Sequence, residues 1–209
     1  MISGKSPFTL EEYGSDGLEL IYRDYERDFP LIERKSFLRL KELLSFGQYR
    51  LIVAKARGCN QIRAYVLVLT LFKFNAVWID YMAVSKSIRG KGFGCLFLDA
   101  LKEHFKDSAD VMFAEVEHVD STDPKERKAQ ESRICFYKTN GAAATDIKYE
   151  LPTCNGGLPM YLYYIPMKKG AGVKRDRIMD STRYLFKYVH KDIKNISEIY
   201  LRIFGEILE

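Results

Sequence analysis

The chain is short of the features that mark a membrane protein, a metal site or an oxidising compartment. Its longest apolar run, around Ala64 to Phe72, falls far below the roughly 20 residues needed to span a bilayer. Its first residues, Met-Ile-Ser-Gly-Lys-Ser-Pro, lack the apolar core of a secretory signal, so a cytoplasmic location is expected. The three histidines, His104, His118 and His190, have no metal-binding spacing, and no metal is expected. The four cysteines, Cys59, Cys95, Cys135 and Cys154, form no C-x-x-C pair. They read as reduced thiols, with Cys95 and Cys135 inside helices among apolar neighbours. Two common phosphate motifs are missing as well. No Gly-Lys-Ser/Thr closes a P-loop, and the third glycine slot of G-x-G-x-x-G holds Cys95 or Phe97.

What is present is an ordinary globular composition, 47% hydrophobic over 209 residues. That argues against wholesale disorder and allows one domain, or one domain with an appendage. The net charge of +5 is mild. Much of it gathers at Lys168, Lys169, Lys174, Arg175 and Arg177. Such a cluster reads as a solvated linker or as a nucleic-acid patch, and no aromatic-interleaved reading surface accompanies it.

The stretch from Trp78 to Phe105 organises the rest. Trp78 to Val84 is apolar apart from Asp80 and suits a buried strand. Ser85 to Gly90 suits a loop. From Gly92 the apolar residues Phe93, Leu96, Phe97, Ala100, Leu101 and Phe105 recur at helical spacing. A turn with glycine at 90, 92 and 94 thus lies between a strand end and a helix start, with Arg89 and Lys91 beside it. Unpaired N–H groups and the helix dipole favour an anion there, and glycine lets the backbone approach a phosphate closely.

Upstream, Met1 to Asp16 reads as polar and partly mobile, and Leu18 to Tyr22 as a first strand. Pro30 opens a helix with an apolar stripe of Leu31, Phe37, Leu38, Leu40 and Leu44, leaving Glu33, Arg34, Lys35, Lys41 and Glu42 outside. Tyr49 to Ala56 and Ile62 to Phe72 are strands around a turn at Arg57 to Asn60. With the strand at Trp78 they form an antiparallel meander. Downstream, Val111 to Val116 is a strand, parallel to that at Trp78 through a crossover helix. His118 to Thr122 is loop. Asp123, Pro124 and Glu126 start a helix that ends near Thr139 on Asn140-Gly141. Ala142 to Tyr149 suits a strand, Pro152 to Pro159 a loop, and Met160 to Met167 a further strand. After a break at Gly170-Ala171-Gly172, Ser181 caps one long or two shorter amphipathic helices, divided near Asn195 to Ser197. Their apolar stripe packs on the domain or forms a homodimer contact.

Two features together resemble a known family. The spacing Arg89-x-x-Gly92-x-Gly94 after a strand ending Met82-Ala83-Val84 is similar to the acyl-CoA pyrophosphate motif of the GNAT superfamily of N-acetyltransferases. Arg133-Ile-Cys-Phe136-Tyr137-Lys-Thr-Asn-Gly141 is similar to that family's helix closing on a glycine. The resemblance covers roughly residues 19 to 167. It implies a central mixed, mostly antiparallel twisted sheet flanked by helices, an α/β fold, over residues 1–169, with a C-terminal helical extension at 170–209. It also implies acetyl-CoA as cosubstrate, held by Met82, Ala83, Val84, Arg89, Gly90, Lys91, Gly92, Phe93, Gly94, Arg133 and Phe136. Between the first two strands, Tyr22, Tyr25, Glu26 and Phe29 either touch the acceptor or pack. The chain departs from the pattern at Gln130, Arg133 and Ala142, where the family has asparagine, a small residue and an aromatic.

Transfer of an acetyl group to an amine needs a base, an acid and an oxyanion donor. A lysine-type amine has a pKa near ~10.4 and must lose a proton before it attacks. Glu115 and Glu117, two apart on one strand, share a face and are candidate bases, or else they face solvent or pair with Arg133. Asp80 is a further carboxylate, with a structural or a basic role. By the resemblance, Tyr137 faces the sulfur as the acid, and a backbone N–H within Met82 to Val84 meets the oxyanion. The expected function is transfer from acetyl-CoA to a small amine or a peptide amine in a ternary complex. A non-catalytic acyl-CoA-binding or regulatory module is the alternative, and a nucleic-acid adaptor built on residues 168–177 is a third.

Overall fold

Strands that are apolar on both faces need cover on both, and this chain supplies it with helices. The computed structural model describes residues 8–58, 60–168 and 172–208. In chain order the elements are β1 (Phe8–Tyr13), α1 (Tyr22–Asp28), α2 (Phe37–Ser45), β2 (Tyr49–Ala56), β3 (Ile62–Leu71), β4 (Ala76–Val84), α3 (Phe93–Phe105), β5 (Val111–Glu117), α4 (Pro124–Thr139), β6 (Ala143–Ala144), β7 (Tyr149–Thr153), β8 (Gly156–Pro166), α5 (Arg175–Val189) and α6 (Ile196–Phe204). The sheet runs β1-β2-β3-β4-β5-β8-β6, with β7 also paired to β8. Among the described residues only β4 and β5 pair in parallel, as the crossover through α3 requires.

The strands alternate between two cores. On one face Ile52, Val66, Val77, Ile79, Met112 and Ile165 pack under Phe97, Leu98, Leu101 and Phe105 of α3 and Tyr137 of α4. On the other, Leu51, Leu67, Trp78, Phe113 and Leu162 meet Tyr25, Leu40, Leu43, Leu185, Phe186 and Ile199. The C-terminal helices therefore bury the predicted stripe from Leu185 to Ile203 against the chain's own core, and Ile207 at its end is exposed. Arg39, 5% exposed, fastens α5 by donating to the carbonyls of Tyr188 at 2.8 Å and Val189 at 3.1 Å.

Several expectations need correction. Leu18 to Tyr22 is no strand: a 3-10 turn spans Ser15–Leu20, and α1 follows. Leu18 and Ile21 are buried three residues apart, a helical spacing. The first strand is instead β1, whose charged outer face reads as loop. Glu11 there meets Lys55 of β2 at 2.6 Å. Pro30 opens only a 3-10 turn at Leu31–Glu33, and α2 begins after Ser36, whose Oγ accepts from Arg39 N at 3.2 Å. Leu31 and Leu38 of the predicted stripe are 78% and 77% exposed, whereas Lys35 and Arg39 turn inward. On α3, Leu96 faces out and Leu98 faces in. Pro152 to Pro159, expected as a loop, lies in the hairpin of β7 and β8, whose second strand includes the expected strand at Met160, and little of Ala142 to Tyr149 is strand. Ser181 is buried within α5, not at its start.

Of the basic cluster, Arg175 pairs with Asp146 at 2.9 Å. Arg177 donates to the carbonyls of Phe74 and Asn75 and pairs with Asp110. Two of its charges therefore staple the fold. Met1 to Pro7, Cys59 of the predicted turn, Lys169 of the basic cluster, and Gly170 and Ala171 of the predicted break lie outside the described residues. Cys135 is exposed and Cys95 half-buried. Among the described residues no helix is long and apolar enough to cross a membrane.

Candidate active site

The site begins with a fault in the ladder between β3 and β4. Leu67 faces Tyr81 and Val68 faces Ile79, which leaves Asp80 as an extra residue on β4. Such a bulge bends its strand. Pairing of β4 with β5 stops at Ile79–Ala114, although β4 continues to Val84 along β3 and β5 continues to Glu117 along β8. The two central strands therefore part, and Met82, Ala83 and Val84 line one side of the opening. The break in the ladder falls at Asp80, two residues before the segment Met82 to Val84.

At the mouth of the opening, β4 runs into the glycine turn. Gly92 caps α3 with φ +79°, a left-handed conformation that disfavours other residues. A Cβ on Gly94 would lie 3.1 Å from Cε2 of Phe136 on α4. The first amides to bond back are Cys95 and Leu96, both to the Gly92 carbonyl at 3.1 and 3.2 Å. The N–H groups of Gly92, Phe93 and Gly94 have no acceptor among the described residues. That is a cradle suited to an anion. Arg89 turns away from it, donating to the Val84 carbonyl at 2.7 Å and meeting Asp28 at 2.9 Å. Lys91 donates to the Ser87 carbonyl at 3.2 Å. Phe93 packs on Phe8.

Beside the opening, Glu115 and Glu117 project to the face that carries Phe113. Oε1 of Glu115 accepts from Tyr149 Oη at 2.5 Å and from Trp78 Nε1 at 3.1 Å. The residue is hemmed in yet keeps some solvent-exposed surface. Burial first, and Asp80 second, push its carboxyl up to about 8, against the pull of Tyr149 and Trp78. Glu117 is held differently, by Arg133, which also pairs with Glu126 at 2.8 Å. Arg133 is thus committed to carboxylates.

On the opposite face, Tyr137 of α4 is 9% exposed and stacks on Tyr163 at 6.2 Å. Burial, then the charges of Glu117 and Glu115, raise its phenol pKa. Gln130, at the family's asparagine place, secures the loop before α4 by accepting from the amides of Asp120 and Ser121. Tyr25 and Phe29 pack around Tyr81, each ring 4.9 Å away, so they serve the core.

Sequence reasoning missed Glu33, Lys35, Tyr49 and Tyr149. Lys35 Nζ lies 3.0 Å from Asp80 Oδ1, and Tyr49 donates to Oδ2 of the same carboxylate. Glu33 is half-buried above Tyr81, which donates to its backbone carbonyl at 2.6 Å. Burial, and then Glu117, raise the Glu33 carboxyl to about 7. Nothing in the local pattern separates these side chains from an ordinary solvated face.

Residues 18–127, just over half of the chain, match the model of the Acetyltransferase (GNAT) family. The chain belongs to the GNAT family of acetyltransferases. The matched stretch ends before Arg133 to Gly141, so the second motif lies outside it. Solved structures extend the likeness of fold through α4 and beyond. A GNAT-family protein from Bacteroides thetaiotaomicron is 17% identical, with TM-score 0.69 over 87% of this chain and 98% of that one. Spermidine N-acetyltransferase from Vibrio cholerae, in complex with CoA and spermine, is 15% identical, with TM-score 0.57 over 78% and 97%. The ribosomal-protein-S18-alanine N-acetyltransferase of Escherichia coli is 15% identical, with TM-score 0.53 over 79% and 99%. No curated protein sequence matches this GNAT chain.

Proposed function

We propose that this protein transfers the acetyl group of acetyl-CoA to a primary amine by direct attack within a ternary complex. One observation carries the reading: the parted strands hold a carboxyl of pKa about 8, Glu115, on one face and a buried phenol, Tyr137, on the other. The free amides of Gly92, Phe93 and Gly94 suit the cosubstrate's pyrophosphate, and Gly94 leaves room where a side chain would meet Phe136.

When bound, acetyl-CoA supplies a thioester carbonyl as electrophile. Glu115 takes a proton from the amine, directly or through water, and a carboxyl near 8 suits that task at neutral pH. The amine nitrogen then bonds to the carbonyl carbon, and the main chain at the bulge stabilises the oxyanion. As the carbon–sulfur bond breaks, the nitrogen of the adduct gives up its second proton to water, and Tyr137 donates to the thiolate a proton that it regains from solvent. Glu117 is not free for the base role, because Arg133 neutralises it. At the acceptor rim, Glu33, Glu117 and Glu126 outnumber Arg133, which favours a cationic amine. The acetyltransferases of similar fold act on acceptors as unlike as spermidine and a ribosomal protein, so the fold alone names none.

The test is thiol release from acetyl-CoA across a panel of alkylamines, polyamines and peptides, with acetyl-CoA binding followed by calorimetry. Turnover that falls at least a hundredfold in Glu115→Gln, with binding retained, supports the reading. Saturable acetyl-CoA binding without transfer to any amine returns the protein to a non-catalytic acyl-CoA module.

A further inference from the structure

Asp80 is the residue that the ladder leaves over, and its side chain is not left to solvent. It is 2% exposed and turns beneath the sheet to Lys35 Nζ, 3.0 Å away, and to Tyr49 of β2. The residue as a whole still keeps accessible surface, so that surface belongs to its main chain. The side chain is anchored and the bulge's peptide is presented.

Lys35 comes from the loop between α1 and α2, and its own side chain is 9% exposed. The same loop is fastened twice more. Tyr81, next to the bulge, donates to the Glu33 carbonyl at 2.6 Å, and Lys35 N donates to Tyr25 Oη at 2.7 Å. The acceptor-side loop and the bulge of the central strand are thereby tied into one unit.

We propose that Lys35 and Asp80 are positioning residues for the acetyl transfer: their ion pair locks the bulge and the acceptor-side loop together and balances the charge that Glu115 experiences. This rests on the reading of the site given above. The groups around Glu115 are Asp80 and Trp78 on β4, Tyr149 on β7, Tyr49 on β2, Tyr137 on α4 and Lys35 on the loop. Around Lys35 and Asp80 lie Tyr81 of β4, Tyr25 of α1, Arg39 of α2 and the uncharged His190 at the end of α5. Asp80 raises the Glu115 carboxyl and Lys35 lowers it. Removing one partner must therefore move Glu115 in one direction, and removing the other must move it in the opposite direction. The opposite shifts report the charge balance, and kcat measured against acetyl-CoA affinity reports the positioning.

The molecule carries its own reporter. Trp78 is the single tryptophan, and its Nε1–H binds Glu115. A pH titration of tryptophan fluorescence therefore follows Glu115 with no acceptor present. Glu115→Gln identifies the transition by abolishing it. Lys35→Met is expected to move the midpoint up by about one unit, and Asp80→Asn to move it down by a similar amount. Lys35→Met/Asp80→Asn removes both charges, avoids an unpaired buried carboxylate, and returns the midpoint towards wild type. With an accepted amine, kcat in Lys35→Met falls about tenfold or more while the calorimetric Kd for acetyl-CoA stays within about twofold. Midpoints that stay put, or move in the same direction in both single variants, overturn the proposal. So does an acetyl-CoA affinity that falls along with kcat. Failure of every amine to react would count against the acetyltransferase reading instead, and the fluorescence arm separates the two failures.

Discussion

Replacing Glu115 by glutamine should make the protein more stable and much less active, and pH should reveal why. The folded carboxyl is raised from an ordinary 4.5 to about 8, chiefly by burial. A carboxyl raised on folding holds its proton in the native state over the range where the unfolded chain has lost it. Stability therefore falls as pH rises from about 4.5 to about 8. At about 1.4 kcal/mol per unit, the ceiling on that loss is roughly 4–5 kcal/mol, and water reaching the opening reduces it to roughly 2–3. Glutamine keeps a carbonyl oxygen for Tyr149 and Trp78 and carries no charge at any pH. In urea at about pH 5 the variant should lie within about 1 kcal/mol of wild type. At about pH 9 it should be more stable by about 2–3 kcal/mol, while kcat drops by about 10²- to 10⁴-fold. Other titrating groups, Glu33 among them, are common to both proteins and cancel in the comparison. If the two stability curves run parallel between those pH values, the buried-acid argument is wrong.

Three further outcomes test the rest of the site. Valine at both Gly92 and Gly94 strains a left-handed cap and drives a side chain into Phe136, so acetyl-CoA binding measured by calorimetry should be lost without unfolding by circular dichroism. Tyr137→Phe should lower kcat about 10²-fold with unchanged acetyl-CoA affinity, and an unchanged kcat would remove Tyr137 from the chemistry. Glu33→Gln should raise KM for a cationic amine about tenfold at about pH 8. In the wild type the same KM should rise as pH falls through about 7, where Glu33 takes up a proton.

How much of this was legible depended on whether the signal was local. β2 begins and ends where its apolar run does, and α4 starts on the Asp123 cap, whose Oδ1 accepts from Glu126 N at 2.8 Å. The glycine turn could be read because its requirement, a positive φ at a helix start, is written in residue type. The edge strand β1 could not, because one of its faces meets solvent and its charges find partners only in the folded chain, Glu11 at Lys55 and Glu12 at Arg50. Nor could the polar floor of the site. Lys35 and Asp80 are forty-five positions apart, and Tyr149 reaches Glu115 from a hairpin on the far side of the sheet. A lysine in a charged segment reads as surface until tertiary structure gives it a buried carboxylate. Likewise, Glu115 and Glu117 are equivalent by strand parity, and only the surroundings, Trp78 and Tyr149 for one and Arg133 for the other, tell them apart.

The bulge is the element on which these contacts converge, and it can be removed cleanly. With Asp80 deleted, Ile79 and Tyr81 become consecutive opposite Val68 and Leu67, so the ladder with β3 turns regular. Strand parity survives, because Ile79 and Tyr81 already lie on opposite faces. The deletion leaves Lys35 and the Tyr49 hydroxyl buried without their partner, so it should be combined with Lys35→Met and Tyr49→Phe. Such a protein should fold with stability near wild type, since it gains a continuous ladder and loses a desolvated ion pair. Yet β4 would no longer bend away from β5, and the opening beside Met82 to Val84 would narrow. Acetyl-CoA binding should then disappear although every residue of the glycine turn is retained. A folded deletion variant that binds acetyl-CoA with wild-type affinity would show that the strands part for a reason other than the bulge. The role given to Asp80 would fall with it.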